Sequence, residues 1–248
     1  METEAIVLDC SDYGESDIIV TLFCQDEGRI TAIAKGAKKS LRRFVNKLEL
    51  FSFLHIVCER KTGRHLAFLA EADLHTSFIN IRNNLELYTI ASVVREFMLV
   101  GIKEAEPDER LFRLCLWTFH NINLRQQPKA VLVLFLIRFF EYLGYRPNLH
   151  ACSRCAEPIT TKRSYSFTPS GGGIICSGCA GPEKTSIISH GTIRVLRSAQ
   201  DLPLDRLHCL KMSGAILKEA LALLHGYGRY LLQRDIVAWR MMQTHTHA

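Results

Sequence analysis

Two Cys-x-x-Cys pairs constrain this chain more than any other feature of its sequence. Cys152 and Cys155 form the first pair and Cys176 and Cys179 the second, with twenty residues between the pairs. Zn²⁺ prefers four soft ligands in a tetrahedron, and a short turn can supply two of them. The spacing is typical of a four-cysteine zinc site. Two disulfides, or four free thiols, are the alternatives that the spacing leaves open.

A site with four thiolate ligands keeps no open position for water or substrate, so we expect one structural Zn²⁺ per chain. Gly178 and Gly181 are predicted to let the backbone fold tightly around the sulfurs of the second pair. Residues 164–168 and 171–175 read as a short hairpin between the pairs, as in a zinc ribbon. We therefore predict a zinc-binding insertion over residues 148–183.

The other cysteines bear on the cellular compartment. They stand among apolar neighbours and read as reduced core thiols, which favours a cytosolic protein over a secreted one; they are Cys10, Cys24, Cys58, Cys115 and Cys209. The acidic start of the chain has no signal-peptide pattern, and no apolar run is long enough to span a bilayer. We expect a cytoplasmic protein with no membrane partner.

The formal net charge of +6 is unevenly distributed. Residues 1–28 contain only acidic charges, whereas residues 29–64 are strongly basic. Such polarity suggests a polyanionic partner, most simply nucleic acid. A solvated basic loop is the alternative. The residues predicted to bind DNA phosphates are Arg29, Lys35, Lys38, Lys39, Arg42, Arg43 and Arg64.

The first eighty residues read as five short strands, at 5–8, 18–23, 29–34, 48–58 and 66–70. Five strands without a long helix favour a small closed barrel, and the OB-fold is the obvious candidate. The basic segment, which begins with Lys35-Gly-Ala-Lys-Lys-Ser-Leu-Arg-Arg, then lies between strands three and four. A flexible cationic loop in this place can follow a phosphate backbone. Phe51 and Phe53 alternate on the fourth strand and either fill the barrel core or stack on bases.

From Asn83 the apolar period becomes helical. Helices are predicted over residues 83–101, 107–124 and 128–144, and after the cysteines over 192–200, 213–225 and 230–241. The third is apolar on most sides and should lie at the centre of a bundle. The expected fold class is α+β: a five-stranded OB-fold barrel in residues 1–80, then an all-α domain in residues 81–248 that carries the inserted four-cysteine zinc ribbon.

Motifs of common enzymes are absent from the sequence. It has no phosphate-binding loop, no nucleophile elbow and no His-Glu-x-x-His pair. The His-x-Glu element of the zinc deaminases is also missing. We therefore expect a protein that is not an enzyme, although a catalyst assembled from distant residues needs no such motif.

Several short segments occur in an order that is specific, although each is modest alone. Tyr13-Gly-Glu-Ser-Asp-Ile-Ile-Val-Thr-Leu-Phe is followed by Gly28-Arg and by Ala34-Lys-Gly-Ala-Lys-Lys. Phe140-Glu-Tyr-Leu-Gly-Tyr-Arg-Pro-Asn-Leu then leads into the first cysteine pair. Over essentially its whole length the chain resembles the RecO family of bacterial recombination mediators. It departs from the family at Asn46-Lys-Leu-Glu-Leu-Phe, where relatives tend to have Gly-x-Leu-x-Pro-Phe.

The resemblance implies a function in DNA repair and recombination. It implies binding of single- and double-stranded DNA, annealing of complementary strands, and work with RecR and single-strand-binding protein to load the RecA recombinase. A zinc-ribbon factor of transcription or translation is the alternative.

The implied partner also suggests a second site. Docking on the acidic C-terminal tail of single-strand-binding protein needs apolar surface with cations beside it. Arg125, Lys129 and Arg138, on and before the third helix, are the predicted cations. The apolar residues of that helix, Val131, Phe135 and Phe139, either line this pocket or simply pack the bundle.

Overall fold

The computed structural model describes residues 1–59, 66–125, 127–181 and 187–244. The chain divides into two compact units, Met1–Arg125 with Val237–Ala248, and Gln126–Ile236, and each is described by itself. The domain boundaries predicted from the sequence stay predictions. Arg64, one of the predicted DNA ligands, lies outside the described residues.

A closed five-stranded barrel begins the first unit. Its strands are β1 (Glu2–Tyr13), β2 (Asp17–Cys24), β3 (Gly28–Ala34), β4 (Phe53–Glu59) and β5 (Leu66–Thr76). They follow the order β1-β2-β3-β5-β4, and β4 pairs back to β1. Only β3 and β5 run parallel among these pairs. The predicted OB-type barrel followed by helices is confirmed.

Alternating side chains explain why these segments form strands. Successive residues of a strand point to opposite faces, so every second apolar residue enters the barrel. The interior includes Val7, Leu22, Ile30 and Leu54. Burial raises the pKa of the interior thiol of Cys58 to about 11.

The scattered cysteines only partly follow the expectation of core thiols. Cys24, Cys58 and Cys115 are buried. Cys10 and Cys209 are exposed, so that interpretation is wrong for these two. Their apolar neighbours in sequence belong to elements whose other face is buried.

Seven α-helices and two short 3-10 helices occur among the described residues. The α-helices are α1 (Ile79–Arg82), α2 (Leu85–Gly101), α3 (Glu109–Asn123), α4 (Pro128–Tyr142), α5 (His190–Asp201), α6 (Gly214–Leu232) and α7 (Val237–Thr244). The Asn84 and Asp108 side chains accept backbone N–H bonds at the starts of α2 and α3. Such N-caps satisfy amides that have no partner within the helix.

The last helix differs from the prediction of a single segment over 230–241. Helix α6 ends at Leu232, followed by Gln233 in the left-handed conformation, and α7 begins anew at Val237. The Glu96 carboxylate accepts hydrogen bonds from the Val237 and Ala238 amides, at 2.9 and 2.8 Å. A carboxylate at a helix N-terminus is favourable because it meets the positive end of the helix dipole. This cap joins α7 to α2 within the first unit.

Strand four begins later than predicted. Residues 48–52 form a turn in which Phe51 has φ +73°, and β4 begins only at Phe53. The fully buried Phe51 ring lies 5.5 Å from that of Tyr88 and 5.2 Å from that of Phe119. Phe51 therefore joins the barrel to α2 and α3 and has no free face for a nucleotide base.

The same turn explains the departure from the family pattern. Asn46 has φ +55°, in the left-handed region that glycine adopts most readily. Asparagine tolerates this region better than most other residues. The chain therefore keeps, with Asn46, the backbone conformation that relatives are expected to reach with glycine.

Helix α4 is the core of the second unit. Every residue from Ala130 to Phe140 is buried, and α5 and α6 pack against the helix. The predicted central position is confirmed. Val131, Phe135 and Phe139 are among these residues, so they pack the interior and leave no apolar surface for a tail.

Arg138 is the one charged residue of this buried run. Its two terminal guanidinium nitrogens have internal partners, whereas the buried Nε has none among the described residues. Its guanidinium donates to the carbonyl oxygens of Gln200 and Leu202, at the end of α5, and to a Glu141 carboxylate oxygen at 3.0 Å. The last carbonyls of a helix have no partner within the helix, and a cation there is favourable. Arg138 therefore holds α4 to the C-terminal end of α5.

We predict that Arg138→Leu destabilises the second unit by about 3 kcal/mol, because it leaves buried carbonyl groups without a donor. Chemical denaturation followed by circular dichroism measures this loss. Arg194→Leu, at an exposed position of α5, is the matched control and should change stability by less than about 0.5 kcal/mol. Equal stability of both variants would contradict the capping role.

Candidate metal centre and nucleic-acid interface

Four cysteine sulfurs converge in the second unit. The Sγ atoms of Cys152, Cys155, Cys176 and Cys179 all lie within 4.8 Å of one another. The Sγ atoms of Cys155 and Cys176 are 3.9 Å apart, which is too far for a disulfide and close to the edge of a ZnS₄ tetrahedron. The four thiols are therefore arranged as a set that can hold a metal ion.

A small hairpin brings the two pairs together. Strands β6 (Tyr165–Thr168) and β7 (Gly173–Cys176) pair antiparallel, and β8 (Ile187–Ile188) adds to β6. The hairpin predicted between the cysteine pairs is thereby confirmed. Cys176 ends β7, and its amide donates to the Cys152 Sγ at 3.3 Å. The first pair thus lies at a turn, whereas Cys176 ends a strand and Cys179 lies in the turn that follows it.

Gly173 allows the two pairs to approach. A Cβ atom at this position would lie 2.5 Å from the Asn148 carbonyl oxygen and 2.6 Å from the Ser153 Oγ. The Ile174 amide donates to the same Asn148 oxygen, and the Ser153 amide donates to the Ile174 oxygen. The segment before Cys152 therefore lies directly on the start of β7, and a side chain at residue 173 would separate them.

Gly178 and Gly181 do not have the predicted role. Neither has a positive φ, and a Cβ atom on Gly178 would meet nothing closer than the Cys176 Sγ at 4.0 Å. The tight turn is instead closed by backbone bonds from the Cys179 and Ala180 amides to the Cys176 oxygen. Gly173, which the sequence pattern did not single out, is the glycine that the site requires.

The environment of the sulfurs favours a bound cation. Burial raises the pKa of Cys152, but N–H groups of Cys155, Cys176 and Arg154 point at the sulfur and outweigh burial, lowering the pKa to about 6. Hydrogen bonds that the Cys179 thiol donates to the sulfurs of Cys155 and Cys176 raise its pKa to about 12. Four neighbouring thiolates repel one another, and a divalent cation removes that repulsion.

We predict that Gly173→Ala destabilises the second unit by about 2 kcal/mol through overpacking against backbone. It should also speed loss of metal to a chelator. Gly178→Ala, whose Cβ atom would come no closer than 4.0 Å to the Cys176 Sγ, should leave both quantities unchanged. Denaturation curves and chelator kinetics on the two variants provide the comparison, and identical behaviour would contradict the role assigned to Gly173.

The basic segment between β3 and β4 covers one end of the barrel. It opens with a short 3-10 turn, Ala37–Lys39. Ala37, Phe44 and Leu48 are buried in the barrel core. The Ser40 Oγ accepts the Arg43 and Phe44 amides, at 3.0 and 3.3 Å. The segment is therefore anchored to the barrel at several points, unlike the flexible loop predicted from the sequence.

The β1–β2 hairpin holds the start of this segment. The Asp17 Oδ1 accepts the Gly36 amide at 2.8 Å and the Ser16 hydroxyl at 2.9 Å. Both hydrogen bonds, and most of all the one from the Gly36 amide, hold the pKa of the Asp17 carboxyl below its usual value. The Lys38 amide donates to the Ser16 oxygen at 3.0 Å. The segment that begins at Tyr13 and the segment that begins at Ala34, both of which carry the family resemblance, are thus hydrogen-bonded to each other.

The predicted DNA ligands of the segment fall into two groups. Lys35, Lys39 and Arg42 are exposed, and none of them forms an ion pair with any residue that the structure describes. Lys38 pairs with the Asp12 carboxylate at 2.9 Å. The Arg43 guanidinium lies over the Phe44 ring, 5.1 Å from its centroid.

Arg29 lies elsewhere. Its guanidinium donates to the Leu99 carbonyl oxygen near the end of α2, and it lies 3.8 Å from the Glu104 carboxylate. The preceding Gly28 has φ +70°, and a Cβ atom there would meet the Glu106 backbone at 2.5 Å. The Gly28-Arg pair therefore fixes the chain after α2 against β3, which gives it a structural role.

The three predicted tail-binding cations do not belong to a single compact unit. Arg125 belongs to the first unit, is exposed, and donates to the Asn80 side chain at 3.2 Å. Lys129 is half-buried in the second unit, and Arg138 is buried with the internal partners described above. Arg138 therefore offers no charge to a surface ligand.

No helix among the described residues is both long and apolar enough to cross a bilayer.

We predict that Asp17→Ala releases the basic turn, so that the Gly36 amide exchanges with solvent roughly fivefold faster or more. In the unaltered protein the anchor should hold at neutral pH and be lost in acid, as pH falls through the lowered pKa of Asp17. Hydrogen exchange with residue resolution tests both points. Glu15→Ala, at the exposed neighbouring position, should leave Gly36 protected.

Comparisons with known proteins agree with this architecture. The family models described as Recombination protein O N terminal and Recombination protein O C terminal match residues 1–78 and 82–240. A DNA repair protein RecO of Syntrophus aciditrophicus (strain SB) is 30% identical over 97% of this chain and 94% of its own length. Proteins of the same name from Roseiflexus sp. (strain RS-1) and Desulforamulus reducens are each 31% identical, over 94% and 96% of this chain and 81% and 92% of their own lengths. The chain therefore belongs to the recombination protein O family.

Proposed function

We propose that this protein is a DNA repair and recombination mediator, which binds single- and double-stranded DNA and anneals complementary strands. Membership in the family, whose similar members are named for DNA repair, supports the general role. The closed barrel supports the nucleic-acid part, since OB-type barrels commonly bind oligonucleotides. The protein would act by holding strands, without breaking or forming covalent bonds in DNA.

The observation that carries the proposal is the basic surface between β3 and β4. Lys35, Lys39 and Arg42 extend from a segment whose apolar residues are fixed in the barrel. Leu41, between two of these cations, is 88% exposed. Cations held in place beside an apolar side chain suit a single strand, which presents phosphates and base faces together.

We predict that Lys39→Glu combined with Arg42→Glu weakens binding of single-stranded DNA at least about tenfold at moderate salt. If each cation neutralises one phosphate, the slope of log affinity against log salt should become shallower by about 1.4. Fluorescence anisotropy with a labelled oligonucleotide at several salt concentrations measures both. Neither residue has an internal ion pair, so the fold should survive.

The matched control is Lys211→Glu combined with Lys218→Glu, at exposed positions in and before α6. It changes the net charge by the same amount, so general electrostatic attraction falls equally. Affinity and salt slope that fall alike in both variants would remove the basic segment as the specific site. An unchanged slope in the first variant would do the same.

We propose that the four cysteines hold one structural Zn²⁺. The convergence of the four sulfurs supports this. Four thiolate ligands leave no coordination position for water or substrate, and a closed tetrahedral site of this kind stabilises folding. Zinc-finger peptides gain roughly 10–16 kcal/mol of apparent folding free energy from such sites. Cys176→Ser should release the ion and lower the melting temperature, and elemental analysis should find about one zinc fewer per chain. Equal zinc content in both proteins would contradict the assignment.

Annealing separates the proposed function from its alternatives. A mediator should accelerate pairing of complementary oligonucleotides without nucleotide or Mg²⁺, in a gel-based assay. A nuclease would cut DNA when Mg²⁺ is added, and a zinc-ribbon factor of transcription or translation would do neither. The annealing rate should fall in the Lys39 and Arg42 double variant and persist in its control.

We further propose that the protein acts with RecR and with the C-terminal tail of single-strand-binding protein, and so helps load RecA. Arg125 is the exposed cation among the predicted tail ligands. Arg138→Glu is an unsuitable test, because it would leave a carboxylate against the carbonyl oxygens of α5. Titration of a labelled tail peptide against Arg125→Glu and Lys129→Glu, each with a check of folding, tests the interaction.

A further inference from the structure

A second cluster of metal-ligating side chains lies on the outer face of the barrel, in the first unit. The carboxylate of Glu4 faces the imidazoles of His55 and His75, and one donor atom from each lies within 4.8 Å of the others. The cluster shares no residue with the four cysteines or with the basic segment. We propose that these three residues form a binding site for a divalent transition-metal ion, with zinc as the ion expected in the cell.

The strands converge to build this cluster. Glu4 of β1 and His55 of β4 are directly paired across the two strands that close the barrel. In β5 the register against β4 shifts between Leu74 and Thr76, so that His75 has no partner of its own. A β-bulge of this kind re-aims a side chain. It brings the imidazole of His75 to the same carboxylate.

The distances fit a metal ion. Glu4 carboxylate oxygens lie 3.4 Å from the His55 Nδ1 and 2.9 Å from the His75 Nε2. Two ligands of a tetrahedral zinc ion, each bonded at 2.0–2.2 Å, are separated by about 3.4 Å. Small side-chain rotations would therefore place all three donors at bonding distance. Two imidazoles and a carboxylate are ligands that zinc, copper and nickel share.

The surroundings resemble the outer shell of a metal site. The second ring nitrogen of His55, Nε2, lies 2.9 Å from the Glu2 carboxylate. A carboxylate in this position can accept the Nε2 proton, so that Nδ1 is the nitrogen available to a metal ion. The ring of His75 lies against that of Phe53, with centroids 5.0 Å apart. Both imidazoles are thus oriented by neighbours that would not themselves bind the ion.

The chemical consequence is an ion with three protein ligands and at least one position open to water or another oxygen ligand. This differs from the closed cysteine site. The ion would also link β1, β4 and β5 where the barrel closes, so its binding should stabilise the first unit. An ordinary network of ion pairs among the same groups would offer no open coordination position and would not respond to added metal.

The test uses the full chain without an affinity tag, its cysteine site filled with Zn²⁺ and weakly held metal removed. After equilibration with buffered micromolar Zn²⁺, elemental analysis should find one more zinc per chain in the unaltered protein than in His55→Gln or His75→Gln. His120→Gln, at an exposed position of α3, should keep the full content. Because the result is a difference, it does not depend on occupancy of the cysteines.

Two further readouts identify the ligands. Co²⁺ added to the zinc-filled protein should give visible bands of a nitrogen and oxygen site without thiolate charge transfer, and His75→Gln should abolish them. Added Zn²⁺ should raise the melting temperature of the unaltered protein by a few degrees and that of folded His55→Gln by less. Equal zinc content in all four proteins, or equal loss in His120→Gln, would overturn the proposal.

Discussion

Closure of the barrel requires β4 to pair with β1 and β5 at the same time. Since β3 pairs with β5, the chain must leave β3 and cross the end of the barrel before β4 can begin. The long connection over residues 35–52 is the consequence. It bends through the left-handed residues Gly36, Asn46 and Phe51, and it seals the barrel end with Phe44 and Leu48. The exposed cations stand on this connection because its other side is committed to the core.

Local patterns in the sequence predicted much of the fold. Strand alternation and helix caps depend on neighbouring residues, so the five strands were predicted, and β2, β3, α2, α3 and α4 were predicted close to their true bounds. Strands β1 and β5 extend well beyond the predicted residues 5–8 and 66–70. The errors come from breaks that apolar patterns do not reveal. Leu48 and Phe51 continue the apolar run of β4 but are buried by a turn, and Gln233 interrupts an apolar period that continues into α7.

The candidate sites also differ in how far the sequence could predict them. Cysteine spacing sufficed to predict that the four thiols converge, because each pair is close in sequence. The roles of Arg29 and Arg138 could not be predicted, since their acceptors are backbone carbonyls 70 and 62–64 residues away. A carbonyl carries no sequence signal. Both arginines bind near the C-terminal end of a helix, where carbonyls lack partners. A count of basic residues therefore overestimates the charge that remains for DNA.

The anchoring of the basic segment has a kinetic meaning. Its backbone is already ordered by Asp17, Ser40 and the buried Phe44, so the loss of conformational entropy occurs when the protein folds. Under the proposed function, a strand would meet cations that need little rearrangement and would be held mainly by charge that salt screens. Such a surface captures a strand quickly and also lets it go quickly, so a strand could change partners many times before a correct duplex forms.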